Sequence, residues 1–518
     1  MNMRLTNPQD PASRGQPVGE STQGAVPATP NRGDEGDIAS GSVGQRAVRS
    51  LLTVAAAAVL ITGCATPQPP QPLPLQDAPA FSSTGGMPSS ERWWEDFEDP
   101  SLSAFIELAL GNNFTLRAAF ERLREATALA RLEKAARSPT LDLAVGGTEL
   151  DASDADRQGV ISLGLEASYE IDLWGRIRSS IEAERLEAAA TAEDYQAAAL
   201  TLSAEMARAV YQLTEASSQL ELLTSQLKTN HDVLLVIEGR FAIGQSGSAD
   251  VLRQRQLVEA TAELQIITRA SIELIKHQIL VLIGSPPQGR LDIDQPRSLP
   301  GIAELPEVGL PSDLLQRRPD VRAAFLRLQS ADASVAVAVK DQYPTLNLGA
   351  VFATAAENPS NLFNSWIGSL TAQLLAPIID GGRRRREIER SVAVRRQRLA
   401  EYGETVLASF QEVEDALTLE RHQMERVESL DKQLALARVA YIELRNQYLN
   451  GAADFIDVLA AVRNQQDLER SLLAARLMRI EHRIALHRAI AGGFVDVSPS
   501  DVENSDPHTN PAETEGIL

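Results

Sequence analysis

The sequence predicts a mainly α-helical chain that carries four amphipathic β-strands and is built as one unit written twice. Three observations carry that prediction. A stretch running from Arg117-Ala118-Ala119-Phe120 to Pro139-Thr140-Leu141 recurs without a gap, 205 residues later, from Arg322-Ala323-Ala324-Phe325 to Pro344-Thr345-Leu346. Two very long helical segments carry a sustained heptad seam. Before each of them lie two stretches of roughly ten residues that alternate apolar and polar side chains. A repeat has to be recognised first, because missing it misassigns the whole fold.

The duplication extends well beyond that stretch. Gly175-Arg176 answers to Gly382-Arg383, Tyr195 to Tyr402, Gly244 to Gly451, and Asp250-Val251-Leu252 to Asp457-Val458-Leu459. The expected organisation is an extension and signal over 1–63, a tether over 64–92, repeats over 93–310 and 311–493, and an acidic tail over 494–518. A hydrophobic content of 43% with only 4% aromatics, dominated by Ala and Leu, is the composition of long helices and coiled coils. The formal charge of −21 argues against a nucleic-acid partner, whose footprint is a basic surface. A single cysteine excludes an internal disulfide framework and a cysteine-rich metal site.

That cysteine is informative. Cys64 follows Leu60-Ile61-Thr62-Gly63, an apolar run from Leu51 to Ile61, and Arg46 and Arg49. A positive region, a short apolar region and a small residue before the break make a secretory signal too short to span a bilayer. The Thr-Gly-Cys arrangement resembles the lipobox of bacterial lipoproteins, which implies lipidation of Cys64, cleavage just before it and, with Ala65 next, sorting to the outer membrane. The Gly/Pro/Ser/Asp-rich residues 1–44 fit poorly ahead of a signal. The expected translation start therefore lies further in, at Val43. From Ala65 to Arg92 the Pro/Gln/Ser composition reads as a tether that needs no core.

Order begins at Trp93-Trp94 with Phe97, read as packing anchors rather than a binding surface. Asp99 or Ser101 is the expected N-cap of a helix through Leu110, followed by a second from Phe114 to Arg137. Strands follow over Thr140–Leu150 and Val160–Ile171, then Thr345–Thr354 and Ser365–Leu375 in the second copy, with Asp151–Gln158 as a polar loop. Leu141, Leu143 and Val145 alternate with Thr140, Asp142 and Ala144; Trp366, Leu370, Ala372 and Leu374 oppose Ser369, Thr371 and Gln373. About ten alternating residues is what a tilted transmembrane strand requires, although a half-buried soluble strand gives the same pattern.

The rods tip that balance. From Arg176 to Phe241, Ala192, Ala199, Met206, Leu213, Leu220, Leu227, Leu234 and Phe241 recur every seventh residue. Tyr195, Leu202, Ala209, Ala216, Leu223, Asn230 and Ile237 keep the companion position. About 65 residues at 1.5 Å each make a rod of roughly 100 Å. The second copy keeps the register through Leu399, Val406, Val413, Val427, Leu434 and Tyr441, with Glu420 interrupting. Each rod ends in a glycine turn, Ala242–Ser248 or Leu449–Ala453, and a return helix. Four strands do not close a barrel, so strands in a membrane have to be pooled between chains.

Trp93-Trp94 with Phe97 and Asp99-Pro100, the run Tyr169-Glu170-Ile171-Asp172-Leu173-Trp174-Gly175-Arg176, and Leu314 to Ala324 resemble the outer-membrane efflux channel family (TolC-like, NodT-type lipoproteins). So do Asp380-Gly381-Gly382-Arg383 and Gln411 to Leu417. The resemblance covers Arg92 to Gly493. It implies a homotrimer whose twelve strands form one outer-membrane β-barrel and whose helices form a periplasmic α-barrel. It further implies docking to a periplasmic adaptor and to an inner-membrane pump of the resistance–nodulation–division class. No cofactor is implied beyond the covalent lipid at Cys64. The competing reading is a periplasmic coiled-coil adaptor or scaffold without a pore.

No enzyme constellation is visible: the six histidines are scattered, and His482 and His487 do not share a helix face. Glu412, Glu414 and Asp415 read as solvated, and Arg383–Arg386 as a solvated helix start or a headgroup contact. Function is expected at the rod tips. The resemblance carries a periplasmic gate onto Tyr448, Ile456, Asp457 and Arg463, with Ala460 replacing a second acid that the family often has. Asp250 and Arg253 are the first-copy counterparts. Both acids also suit the dipole of a helix N-terminus.

Overall fold

A computed structural model describes residues 80–86, 92–150, 158–291 and 298–490. Cys64, the signal and the acidic tail lie outside the described residues. After a short 3-10 turn over Trp93–Phe97, the helices are α1 Pro100–Asn112, α2 Phe114–Ala135, α3 Arg176–Ala242, α4 Ser248–Leu282, α5 Pro311–Arg317, α6 Pro319–Lys340, α7 Arg383–Leu449 and α8 Phe455–Ile490. Strands β1 Thr140–Leu150 and β2 Gln158–Ile171 follow α2, and β3 Thr345–Ala356 and β4 Trp366–Leu375 follow α6. Gln158, expected in the loop, already belongs to β2, and β3 runs two residues past its expected end at Thr354.

The duplication is metrical as well as textual. Helices α2 and α6 each have 22 residues, and the rods α3 and α7 each have 67. Local chemistry sets these ends. Asp99 caps α1, accepting from Ser101 N and Leu102 N, and Pro100 occupies the first turn, where its missing N–H is not needed. Asn113 ends α1 and starts α2: its Oδ1 accepts from Leu116 N at 3.0 Å and its Nδ2 donates to the Leu282 carbonyl at 2.9 Å. Each rod begins after a glycine in the left-handed region, Gly175 at φ 76° and Gly382 at φ 85°, where a side chain would be strained. Asp172 and Asp380 accept the first free amides from just upstream, Arg178 N at 2.9 Å and Arg384 N at 3.2 Å.

The main core gathers the Trp93-Trp94 pair, α1, the middle of α3 and the ends of α4 and α8. Both tryptophans are 1% exposed, and Trp93 Nε1 donates to Ser203 Oγ at 3.1 Å, so the pair is indeed an anchor. His487 stacks on Trp93 at 5.7 Å, with Nδ1 3.8 Å from Asp96 Oδ2. Burial, with Arg483 adding to it, pushes the His487 imidazole down to about 3.

Two expectations are corrected here. The tether does not remain free over 80–86: Ser82 N donates to Glu414 Oε1 at 2.8 Å, Gly85 N to the Pro306 carbonyl at 3.0 Å, and Phe81 meets Phe410 edge-on. An apolar ring and two amides give this otherwise polar stretch something to dock with. Glu412 and Glu414 are consequently not plain solvated acids. Glu412 accepts from the buried Arg318 at 2.9 Å, and Arg318 also binds Asp320 and the Ala489 carbonyl.

Glu420, the break in the second heptad seam, is a buried ion pair. Arg483 grips it with both ends of the guanidinium, and the two side chains are 5% and 6% exposed. The remaining Arg483 donor reaches the Ala303 and Glu304 carbonyls at 3.1 and 2.9 Å. The pair is tolerable because nearly every polar atom finds a partner.

Candidate functional site

The four strands form one antiparallel sheet in the order β1-β2-β3-β4. Its register aligns like with like. Val145, Leu163, Thr354 and Trp366 make one row, Leu143, Leu165, Phe352 and Gly368 the next, and Leu141, Ala167, Ala350 and Leu370 the third. The alternate face carries Thr140, Ser168, Gly349 and Thr371 in one row, and Asp142, Glu166, Val351 and Ser369 in another. The facing expected from the alternation therefore holds across all four strands. One face is a predominantly apolar band that also carries Thr354 and, near the loop end of β1, Glu149, with Leu370 89% exposed and Phe352 stacked on Trp366 at 4.8 Å. An apolar surface of this extent is an interaction face, and alternating strands with one such face suit lipid.

Glycines reveal which way the sheet bends. A Cβ on Gly146, Gly164 or Gly349 would meet Ser162 Oγ, Ala353 Cβ or Thr371 Oγ1 at 2.9, 2.8 and 2.7 Å. All three belong to the polar face. On the apolar face, Gly147 meets nothing and Gly368 only an ordinary contact at 3.7 Å. Crowding confined to one side makes the polar face concave, as the inside of a barrel is. β1 and β4 are unpaired edges, and an open edge does not persist in lipid.

At the far end of the rods, both hairpins meet in one small core. Ile237 of α3 and Val251 and Leu257 of α4 pack with Phe455, Val458, Leu459 and Val462 of α8 and, from α7, Tyr441, Leu444 and Tyr448. Among the expected gate residues, Tyr448 lies against Phe455 at 5.6 Å, and the Arg240 guanidinium sits 4.7 Å over its ring. That cation–π contact links the hairpins. The Tyr448 hydroxyl and Arg240 Nε are buried without a hydrogen-bond partner among the described residues.

Asp250 is held at the first turn of α4 by Ser246 Oγ, Gly247 N and Arg253 Nη1 at 3.1, 3.3 and 3.2 Å, so its helix-start role is realised. Its counterpart Asp457 is exposed at the first turn of α8, and Ile456 beside it is 49% exposed while Phe455 is buried. Neither Asp457 nor Arg463 has a side-chain hydrogen bond or ion pair among the described residues, so the structure does not bring Tyr448, Asp457 and Arg463 together within one chain.

Above the tip, a polar ladder joins α3, α4 and α8, which sequence reasoning missed. Asn230 and Gln466 exchange bonds at 2.9 and 3.3 Å, Asn230 also donates to Thr261 Oγ1, and Gln226 reaches Glu469 at 2.9 Å. Only Asn230, the one polar member of its seam, signalled this layer. Among the described residues, no cluster of side chains suits a metal ion and no helix is long and apolar enough to cross a membrane. The membrane-type element is the sheet.

Comparison with known proteins agrees with this geometry. The sequence profile of the family described as outer membrane efflux protein matches residues 105–285 and 310–492. The pyoverdine export outer membrane protein OpmQ of Pseudomonas putida is 30% identical over 460 residues, covering 85% of this chain and 97% of that protein. The solved outer-membrane channel OprN superposes with a TM-score of 0.77 at 29% identity, over 83% of this chain and all of that one. The structure of CusC gives 0.76 at 26% identity, over 82% and 98%. With the duplicated rods, the apolar-faced sheet and both halves of the chain matched, this chain belongs to the outer membrane efflux protein family.

Proposed function

We propose that three copies of this chain assemble into a passive outer-membrane duct of a tripartite efflux system. A periplasmic adaptor and an inner-membrane pump of the resistance–nodulation–division class would feed it. The observation that carries this reading is the four-stranded sheet with a lipid-type outer face, a crowded polar face and two open edges. Each chain supplies an even number of antiparallel strands, so chains can join edge to edge into a closed, all-antiparallel cylinder. A scaffold without a pore has no use for such a band.

In this reading the lipid on Cys64 adds an anchor. Ile456 and Asp457 face the channel axis at the tips, with Tyr448, Arg463, Asp250 and Arg253 close behind. The names of the relatives span pyoverdine, toluene and cations. That spread fits a shared duct without a cargo pocket, so the cargo of this chain is set by its pump.

The test is the protein purified from membranes in detergent. It should run as a trimer by native mass spectrometry and conduct ions in planar bilayers. A monomer that stays soluble without detergent and forms no pore contradicts the proposal. Cys64→Ser should lose the lipid yet keep the trimer, because twelve lipid-facing strands hold far more strongly than acyl chains. Loss of assembly in an exported, lipid-free variant overturns that order of importance.

A further inference from the structure

The duplication lets the junction of sheet and rod be compared with its own copy. Where β2 hands over to α3, the charges are paired. Arg176 grips Glu170 at 2.9 Å, and Arg178 binds the Asp172 carboxylate at 3.3 Å. Where β4 hands over to α7, the counterparts of those two acids are Pro377 and Ile379. The counterparts of Ile177 and Ser179 are Arg384 and Arg386, so four arginines stand in a row from Arg383. Residues 170–179 hold two carboxylates and two arginines and are neutral. Residues 377–386 hold four arginines less one carboxylate, a charge of +3.

Only part of that charge is neutralised. Arg384 folds inward, its side chain 24% exposed, onto Asp380 and Asp341 at 3.2 Å each. Arg385 and Arg386 share the single carboxylate of Glu389, with 83% and 78% of their side chains exposed. Arg383, the counterpart of the gripped Arg176, is exposed, and its side chain has no hydrogen bond or ion pair among the described residues. A helix start favours anions, and no acid occupies the first turn of α7. Arginines there repel one another and the helix dipole, and a bound anion relieves both repulsions.

The neighbouring side chains say which anion. Ile378 and Ile379 precede the arginines and are 91% and 93% exposed, more than any other large apolar residue described. They continue from β4, whose apolar face suits lipid. At about 3.3 Å per residue and a tilt of about 40°, the ten residues of β4 span about 25 Å of depth, the height of a barrel's apolar band. Aromatic residues mark both rims of that band. Phe352, Phe363 and Trp366 group near the loop end, and Trp174 lies against Tyr343 at the rod end, its Nε1 donating to the Pro344 carbonyl at 2.7 Å. The arginine row follows at the rod-end rim, at the depth of headgroups.

We infer that Ile378, Ile379, Arg383, Arg385 and Arg386 hold an anionic phospholipid of the leaflet on the rod side. The isoleucine pair meets the upper acyl chains, and the guanidinium groups take the phosphate, whose oxygens their paired donors match. A free phosphate would leave the isoleucine pair in water. The inference rests on the duct reading above, which puts the sheet in a bilayer, and adds a lipid at one fixed place on each chain.

The test titrates the detergent-solubilised protein with phosphatidylglycerol or phosphatidylcholine and reads the bound lipid by native mass spectrometry. Wild type should retain phosphatidylglycerol and hold phosphatidylcholine more weakly. Arg383→Gln/Arg385→Gln/Arg386→Gln should lower affinity for phosphatidylglycerol about a hundredfold, at roughly fivefold per arginine near anionic headgroups, with the oligomer intact. Ile379→Asp, which writes the acid of the first repeat into the second, should weaken it too. Equal retention of both lipids by wild type, or of phosphatidylglycerol by wild type and triple variant, overturns the site and leaves the duct standing. Displacement by inorganic phosphate, with no effect of Ile378→Ser/Ile379→Ser, overturns the lipid in favour of a free phosphate. Loss of the oligomer in the triple variant overturns it in favour of a neighbouring copy. A monomer that is soluble without detergent overturns the duct and this site together.

Discussion

The two rods are the same object in length and start, yet they do not do the same work. Rod α3 has more than twice as many buried side chains as α7. At matched positions α3 carries Leu213 and α7 carries Glu420, and the counterpart of Arg483, which grips Glu420 from α8, is Lys276 on α4. The first rod is central, enclosed by both repeats. The second has one flank open, and its seam is broken by a buried ion pair that ties in the segment at Ala303 and Glu304. Identical templates therefore acquire different chemistry from what surrounds them, which is a matter of neighbours and not of helical propensity.

The largest effect should come where the two repeats share a duty, on the apolar band. Leu370→Arg should abolish assembly, at about 2–4 kcal/mol per chain for arginine at mid-bilayer, incurred at every copy. Thr371→Arg, on the concave face, should still assemble. Equal recovery of heat-resistant oligomer from outer-membrane fractions of both variants would mean the faces are reversed.

Next is the ion pair that separates the rods. Glu420→Ala should cost about 3–5 kcal/mol, because it strands a buried guanidinium. Glu420→Leu combined with Arg483→Met, which gives α7 the leucine of α3, should recover most of that, short of the two carbonyls Arg483 also serves. Chemical denaturation in detergent checks this; a double variant no better than Glu420→Ala would show that the pair is not the unit.

His487 distinguishes the ends of the return helices, since its counterpart position in the first repeat, Leu280, does not titrate. With the folded value near 3 and the unfolded one near 6.5, the unfolded chain takes up the proton first as pH falls. Stability is then fully present above about pH 6.5 and declines toward pH 3, by about 1.4 kcal/mol per pH unit. Asp96, raised by burial, pulls the other way. The readout is therefore the difference between wild type and His487→Gln, which should be the flatter of the two between pH 6.5 and 5. Parallel curves would discount the imidazole.

The smallest effect on stability, and the most direct on transport, is at the tips. Ile456→Ala should raise single-channel conductance, and Asp457→Asn should lower cation selectivity, because a ring of carboxylates favours cations. If neither quantity moves in planar bilayers, the constriction lies elsewhere along the tunnel.

Much of this was legible in the sequence because it is local or periodic. Rod ends follow Gly175, Gly382 and the turn glycines; strand facing follows a period of two; Trp93-Trp94 announces a core by size. What stayed hidden depends on which distant helix face arrives. Heptad spacing marks Glu420 as an interruption but does not name Arg483. Nothing near Tyr448 points to Arg240, and a seam position identifies Asn230 as polar without revealing Gln466. Phe455 and Ile456 are adjacent apolar residues, and only packing shows that the first is buried and the second exposed. The glycines that curve the sheet look like ordinary strand glycines until their cross-strand neighbours are known.

One consequence follows from the Arg240–Tyr448 contact at the tips. It stands in the groove between the two hairpins of a single chain, and the counterparts of these two residues are Gln447 and Phe241. Around a ring of repeats, the grooves within chains would thus carry a cation stacked on a phenol, and those between chains an amide beside a plain ring. In the proposed ring, a partner gripping the tips would meet two alternating kinds of groove, and the duplication would set its stoichiometry: one partner per chain where a single groove is read, two where both are.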